Sequence, residues 1–162
     1  MFFTVHCSFC IAAPALKWGR VNESIARKAY EDCTGFAVTK TGLTLHQEFP
    51  YLGATSDGLV DDSVVIELKC PYSGRDKSVS DLIASGYQHI AKVDDKFILK
   101  CNSPYYCQVQ GEMALKKVDL CHFVVWTPVN IEIIEVKFDS DFSHKHLLPK
   151  LITFYRTHVA PR

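Results

Sequence analysis

The 162-residue sequence has no net charge, no long apolar run and no internal repeat. Its 18 basic and 18 acidic side chains balance, which excludes a protein that coats nucleic acid by overall charge but not one with a local basic groove. No apolar run approaches the roughly 20 residues needed to span a bilayer, so we expect no membrane association. Without a linker or a low-complexity stretch, residues 1–162 are predicted to form a single domain.

The cysteines are not arranged as a disulfide framework. The seven cysteines are odd in number and scattered, which favours reduced thiols and an intracellular protein, without distinguishing nucleus from cytoplasm. Cys7 and Cys10 form a single C-x-x-C pair, but no second pair has zinc-ligand spacing, so we assign no zinc site. The apolar opening stretch lacks a basic start and its apolar run is interrupted, so we do not interpret it as a signal peptide.

Apolar periodicity and turn residues predict four helices and five strands. The helices are predicted at residues 16–33, 79–84, 104–117 and 139–159. The strands are predicted at residues 43–49, 53–60, 63–70, 122–128 and 131–138, with the first three forming a meander. Helices before, between and after the strands indicate an α/β (α+β) fold, in which a mixed or mainly antiparallel sheet is flanked by helices.

The strand predicted at residues 63–70 carries two opposite charges on one face. Because alternate side chains of a strand share a face, Leu68 and Cys70 would point into apolar packing while Glu67 and Lys69 point the other way. A surface ion pair, which contributes about 0–1 kcal/mol, would explain the two charges without any function. Burial of the same charges without partners would cost several kcal/mol and would need a functional reason.

Asp57 precedes Glu67 by ten residues and gives the charges a functional interpretation. A hairpin between the two segments would bring Asp57 beside Glu67, so that two carboxylates and Lys69 converge. Carboxylate oxygens suit Mg²⁺, with Mn²⁺ as an alternative, and a lysine beside the metal can position or deprotonate an attacking water. This set fits phosphodiester hydrolysis, in which negative charge builds up on the phosphate in the transition state.

Five stretches, in family order, resemble the lambda-exonuclease branch of the PD-(D/E)xK nuclease superfamily, which includes the YqaJ-like viral recombinase domain. They are "ALKWGRVNESIARKAYEDCTG", "SDGL…IELKCP", "CPYSGRD", "PYYCQVQGEM" and "FDSDFSHKHLLPKL". The resemblance covers residues 13–159 and leaves the segment 1–12 unmatched. It implies a restriction-endonuclease-like core with a central mixed sheet flanked by helices.

The resemblance also implies roles for individual residues. Catalytic roles fall on Glu23, Asp57, Glu67, Lys69 and Gln108, and metal ligation falls on Asp57, Glu67 and the backbone carbonyl of Leu68. Glu23 could equally be an ordinary exposed carboxylate near the start of a helix, where the helix dipole favours it. Candidate DNA contacts are Arg20, Arg27, Thr55, Arg75 and Tyr105, although charged side chains on helix faces are often only solvated.

The two glutamines of "CQVQG" cannot both face one site. Gln108 and Gln110 are two residues apart, which is about 200° around a helix. The resemblance selects Gln108 for the catalytic site, and Tyr105 shares its face of the helix.

The resemblance implies a Mg²⁺-dependent deoxyribonuclease that digests double-stranded DNA from the 5′ end, leaves 3′ tails for a single-strand annealing protein, and forms a ring-shaped homotrimer. An endonuclease of the same superfamily and a non-catalytic DNA-binding or interaction module derived from it are the alternatives. The segment 1–12 contains no lysine or arginine. Because charge-assisted contacts select phosphates, we expect low processivity and little preference for a 5′-phosphate.

Overall fold

The structure is a computed structural model that describes residues 13–160. The segment 1–12 lies outside the described residues. It contains the Cys7–Cys10 pair, and the predicted lack of a 5′-phosphate contact concerns this segment. The α-helices are α1 Ala13–Thr34, α2 Val79–Ala84, α3 Pro104–Lys116 and α4 Leu148–His158. The strands are β1 Thr44–Leu45, β2 Gly53–Ala54, β3 Gly58–Val60, β4 Val64–Lys69, β5 Ile90–Val93, β6 Lys96–Leu99, β7 Leu120–Trp126 and β8 Ile131–Lys137.

A four-stranded mixed sheet in the order β3-β4-β7-β8 forms the centre of the fold. Strands β4 and β7 are parallel, with Glu67 opposite Phe123, and the other two pairs are antiparallel. The chain leaves β4, forms α2, the β5–β6 hairpin and α3, and then returns to the sheet as β7. The predicted mixed sheet flanked by helices is therefore confirmed.

The two faces of β4 pack against different helices. Ile66 and Leu68 belong to an apolar cluster with Ala26 and Tyr30 of α1. Val65 lies on the opposite face, in the main cluster that includes residues from α2 and α3, among them Leu82, Val109 and Met113. Because Glu67 and Lys69 alternate with Ile66 and Leu68, they belong to the α3 face, where charged side chains meet a helix.

A buried hydrogen bond ties α1 to the sheet. Tyr30 of α1 is fully buried, and its hydroxyl lies 2.7 Å from Nδ1 of His122 on β7.

Within residues 13–160, no helix is both long enough and apolar enough to span a bilayer.

The first three predicted strands do not form a meander in one sheet. β1 pairs with β2 in a separate two-stranded sheet, and β3 pairs with β4 in the central one. The predicted strand 53–60 is interrupted between β2 and β3. Thr41 lies beside this interruption and donates its hydroxyl hydrogen to the carbonyl of Ser56 at 2.9 Å.

The β5–β6 hairpin was not predicted, because no strand was assigned between the helices predicted at residues 79–84 and 104–117. Asp94 and Asp95 have positive φ angles of 46° and 61°, which is the backbone conformation of a type I′ hairpin turn. Asp61 and Asp62, between β3 and β4, have the same signature at 47° and 53°. The Asp-Asp pair thus marks both hairpins. The predicted closing helix is π-helical at Phe142–Leu147 and continues as the α-helix α4.

Candidate active site

The β3–β4 hairpin brings Asp57 beside Glu67. Gly58 pairs with Ile66 in antiparallel register, so the residue before Gly58 lies next to the residue after Ile66. The Asp57 carboxylate accepts a hydrogen bond from the backbone N–H of Leu68 at 2.7 Å. The guanidinium of Arg27 donates to the Asp57 carbonyl at 3.1 Å, which fixes the backbone of the turn from the α1 side.

Glu67 is buried rather than on the surface. The residue is only 3% exposed, and its Oε1 accepts a hydrogen bond from the ammonium of Lys69. Its Oε2 is also buried and has no hydrogen-bond partner among the described residues. The interpretation of Glu67 and Lys69 as a surface-facing ion pair is therefore wrong.

Gln108 links the charged groups from α3. Its Nε2 donates to Glu67 Oε1 at 2.7 Å and to Glu112 Oε1 at 2.9 Å, while its Oε1 accepts from Lys69 Nζ at 3.1 Å. Gln110 points elsewhere, because its Nε2 donates to the carbonyl of Lys137 at 2.9 Å. The helix thus separates the two glutamines as its geometry requires.

Glu112 is a member of this network that the sequence analysis missed. It is 2% exposed, and its buried Oε2 has no hydrogen-bond partner within residues 13–160. Burial, followed by the nearby charge of Glu67, raises the pKa of Glu112 well above its ordinary value. Its position four residues after Gln108, on the same helix face, was the available signal.

The electrostatics of the site favour a bound cation. Burial, followed by the charge of Glu67, raises the pKa of Asp57 to about 7, although the Leu68 N–H opposes this rise. Burial alone would lower the pKa of Lys69, but the Glu67 carboxylate raises it overall. Lys69 is therefore an ammonium near neutral pH, and it pairs with Glu67, one of two carboxyl groups that lie close together.

An open cleft of about 620 Å³ gives access to these groups. It is lined by the central residues Asp57, Glu67, Leu68, Lys69 and Gln108 and by the predicted Arg20, Glu23, Thr55 and Tyr105. The Lys69 ammonium lies 4.6 Å from the centre of the Tyr105 ring. Tyr87 and His89 also line the cleft and were not predicted.

Two of the predicted basic residues have partners within the protein. Arg27 is buried and forms an ion pair with Glu23 at 2.8 Å, while the Glu23 side chain keeps 43% of its exposure. Arg75 lies outside the cleft lining, with its guanidinium over the Tyr72 ring at 4.5 Å. Arg20 is exposed and lines the cleft, so it is the predicted basic residue best placed to meet a phosphate.

Cys70 lines the cleft but is not activated as a nucleophile. Burial, followed by the charges of Asp57 and Glu23, raises the pKa of its thiol to about 12. A neutral thiol is a poor nucleophile, so Cys70 acts as a packing residue against the α1 cluster.

The residues present fit a hard divalent cation. No group of three or more His, Cys, Asp or Glu side chains within residues 13–160 is arranged to hold a metal. The candidate donors here are two carboxylates, Asp57 and Glu67, and the backbone carbonyl of Leu68. Among the described residues, one buried Glu67 oxygen has no hydrogen-bond partner, and the pKa of Asp57 is raised. A bound cation would pair with that oxygen and lower the pKa of Asp57.

Comparison with protein families gives a match to the YqaJ-like viral recombinase domain over residues 4–118. This match begins ahead of the resemblance at residue 13 and ends before its last stretch. No curated protein matches the chain.

Solved structures of exonucleases share the fold. An alkaline exonuclease from Laribacter hongkongensis, LHK-Exo, is 26% identical over 90% of this chain and 69% of that chain, with a TM-score of 0.68. Its complex with dAMP matches at 25% identity over 90% of this chain and 74% of that chain, with a TM-score of 0.65. A phage-related exonuclease from Haemophilus somnus 129PT, at 14% identity over 87% and 67% of the two chains and a TM-score of 0.58, supports the fold alone.

Proposed function

Because this chain belongs to the YqaJ-like viral recombinase family, we propose that it is a metal-dependent deoxyribonuclease that degrades double-stranded DNA from the 5′ end. The observation that carries the proposal is the convergence of Asp57, Glu67 and Lys69 in an open cleft. The similarity to LHK-Exo, an alkaline exonuclease whose structure was also solved with dAMP, supports exonucleolytic release of nucleotides.

Asp57, Glu67 and the carbonyl of Leu68 would hold the metal ion, for which we propose Mg²⁺, with Mn²⁺ as an alternative. When bound, the ion would supply positive charge to the scissile phosphate and lower the pKa of a coordinated water. The hydrogen bond from Leu68 N–H orients one Asp57 oxygen, and Oε2 of Glu67 has no hydrogen-bond partner among the described residues. These are hard oxygen donors of the type that Mg²⁺ prefers.

Lys69 and Gln108 would prepare the nucleophile and the phosphate. Lys69 is charged because its pKa is raised, so it donates hydrogen bonds to an attacking water or a phosphate oxygen rather than removing a proton. Gln108 holds the ammonium through its Oε1 at 3.1 Å. Charge-assisted donors of this kind stabilise the negative charge that develops on the phosphate during hydrolysis.

The DNA would enter along the wall of the cleft. Arg20 and Thr55 are exposed there and supply a cation and a hydroxyl for the backbone phosphates, while Tyr105 offers an aromatic ring beside Lys69. A ring-shaped trimer and a single-strand annealing protein as partner remain predictions from the family resemblance.

The experiment compares 5′-labelled linear duplex DNA with covalently closed circular DNA, each incubated in Mg²⁺ or in EDTA. We expect Mg²⁺-dependent release of mononucleotides from the labelled 5′ end and no cleavage of the circle. Glu67→Gln should abolish the release, whereas Glu135→Gln, a charge change at an exposed position of β8, should not.

Other outcomes would overturn parts of the proposal. Cleavage of the circle would indicate an endonuclease, and release from the 3′ end would refute the direction. Binding of DNA without any cleavage in Mg²⁺ or Mn²⁺ would indicate a non-catalytic module.

A further inference from the structure

We propose that Glu112 is a positioning residue that holds the Gln108 amide in the orientation that Glu67 and Lys69 require. This inference rests on the proposed function, because it concerns the same site. Glu112 touches neither Lys69 nor a candidate metal donor by any hydrogen bond of the described residues, so its action on the site passes through Gln108.

The Gln108 amide donates to carboxyl groups on one side and accepts from an ammonium on the other. Its NH₂ group donates to two carboxylates, Glu67 at 2.7 Å and Glu112 at 2.9 Å, and its oxygen accepts from the Lys69 ammonium at 3.1 Å. The reverse orientation would direct the amide oxygen at Glu67 and Glu112 and the NH₂ group at the ammonium. The contacts to Glu67 and Lys69 would then become repulsive, and Oε1 of Glu112 would lose its donor, so the two carboxyl groups together fix the amide.

An adjacent cavity explains why Gln108 needs the second carboxylate. A mainly apolar cavity of about 190 Å³ lies between α3 and α4 and is lined by both Gln108 and Glu112, together with Leu115, Leu147 and Leu151. Gln108 also lines the open cleft. With Glu112 removed, one N–H of Gln108 would lose its partner on the side where the side chain has space to turn away from Lys69.

A buried glutamate would destabilise the protein if Glu112 only filled space. It is 2% exposed, and in the part of the chain that the structure describes its buried Oε2 has no hydrogen-bond partner. A buried carboxyl oxygen without a partner destabilises the folded state, whereas an apolar side chain of similar size would not. Glu112 therefore lowers the stability of the folded protein while it provides one hydrogen bond to Gln108. Its replacement by an apolar residue should raise stability and lower turnover.

The test compares Glu112→Met with Glu112→Gln. Methionine has a similar size but offers no comparable acceptor, so we expect kcat to fall about tenfold or more with KM for DNA little changed, while Tm stays equal or rises. Glutamine keeps an acceptor oxygen at the same position, so kcat should stay within about threefold of the original value. Glu135→Met, at an exposed position of β8, is the matched control and should leave kcat unchanged.

A double-mutant comparison tests whether Glu112 acts through Gln108. In a Gln108→Ala background, Glu112→Met should cause little further loss of kcat, because the amide that it positions is absent. Full kcat in Glu112→Met, a Tm that falls in parallel with kcat, or losses that multiply in the double variant would each overturn the proposal.

A measurement without DNA separates this inference from the proposed function. In the metal-free protein, the side-chain NH₂ resonances of Gln108, assigned by their loss in Gln108→Ala, report directly on its hydrogen bonds. We expect them to shift and to exchange faster with water in Glu112→Met but not in Glu112→Gln. Unchanged resonances in Glu112→Met would refute the positioning role, and an inactive protein with the expected shifts would refute only the proposed nuclease activity.

Discussion

The backbone N–H of Leu68 donates a hydrogen bond of 2.7 Å to the carboxylate of Asp57, eleven residues earlier in the chain. Because Leu68 directly follows Glu67, this bond fixes the two carboxylates relative to each other across the β3–β4 hairpin. It also satisfies one Asp57 oxygen with a backbone donor, which leaves the second oxygen for a ligand in the cleft. The geometry of the site is therefore set by the backbone of β4.

Glu67→Gln should abolish DNA cleavage while the protein remains folded. Glutamine retains an acceptor for Lys69 and Gln108 but removes the negative charge that a metal ion needs, so we expect a loss of at least about a hundredfold in turnover. Cleavage of linear duplex DNA in Mg²⁺ and a thermal unfolding curve measure the two effects. Turnover close to that of the unsubstituted chain would disprove the assignment of Glu67 as a metal ligand.

The two glutamines of α3 should separate activity from stability. Gln108→Ala removes contacts to Glu67 and Lys69, so we expect turnover to fall about tenfold or more with a small change in Tm. Gln110→Ala removes the partners of the Lys137 carbonyl and the Asp139 N–H, so we expect the free energy of unfolding to fall by about 1–3 kcal/mol.

Steady-state cleavage and urea unfolding of the two glutamine variants give the comparison. Equal losses of turnover at matched fractions of folded protein would show that the amide of Gln108 has no special role.

The stability of the metal-free protein should decrease between about pH 4 and pH 7. The pKa of Asp57 is about 7 in the folded state and close to 3.9 in an unfolded chain, so the folded state holds more protons in this range. The free energy of unfolding therefore falls as pH rises, by an amount on the order of a few kcal/mol, and levels off above pH 7.

Asp57→Asn removes this titration and should be more stable than the unsubstituted chain at pH 8. Urea unfolding in EDTA at pH 5 and pH 8 measures the difference, and Asp76→Asn at an exposed position serves as the control. If Asp57→Asn and the unsubstituted chain lose stability equally between the two pH values, Asp57 is not the residue that titrates.

Gly58 should tolerate no side chain, because it follows Asp57 at a point of close packing. A Cβ atom at Gly58 would clash with Cγ1 of Val38 and lie 3.1 Å from the carbonyl oxygen of Thr39. Gly58→Ala should therefore reduce the free energy of unfolding by about 1–3 kcal/mol.

Gly19 in α1 is the matched control, since a Cβ atom there meets nothing within 4 Å. Alanine favours the helix interior over glycine, so Gly19→Ala should raise stability by about 0.5–1 kcal/mol. Chemical denaturation of the two alanine variants tests the pair, and equal changes in stability would contradict the packing argument.

The sequence alone determined the elements that carry the site. Alternation in "VVIELK" predicted a strand with Glu67 and Lys69 on one face, and the Ser103–Pro104 pair predicted the start of α3, where Ser103 accepts a hydrogen bond from Tyr105 N–H. Periodicity also separated Gln108 from Gln110. These properties depend on neighbours within a few residues, so local spacing was enough to predict them.

Only the tertiary structure decided which environment the charges occupy. Glu67 could have belonged to an exposed strand, and it is buried because α3, forty residues later, packs over that face of β4. The same contact brings Glu112 into the network, and the turn before Gly58 is held by Arg27 and Leu68 from two other elements. The pKa values and the free carboxyl oxygen at the site arise from burial, which depends on contacts between residues that are distant in the chain.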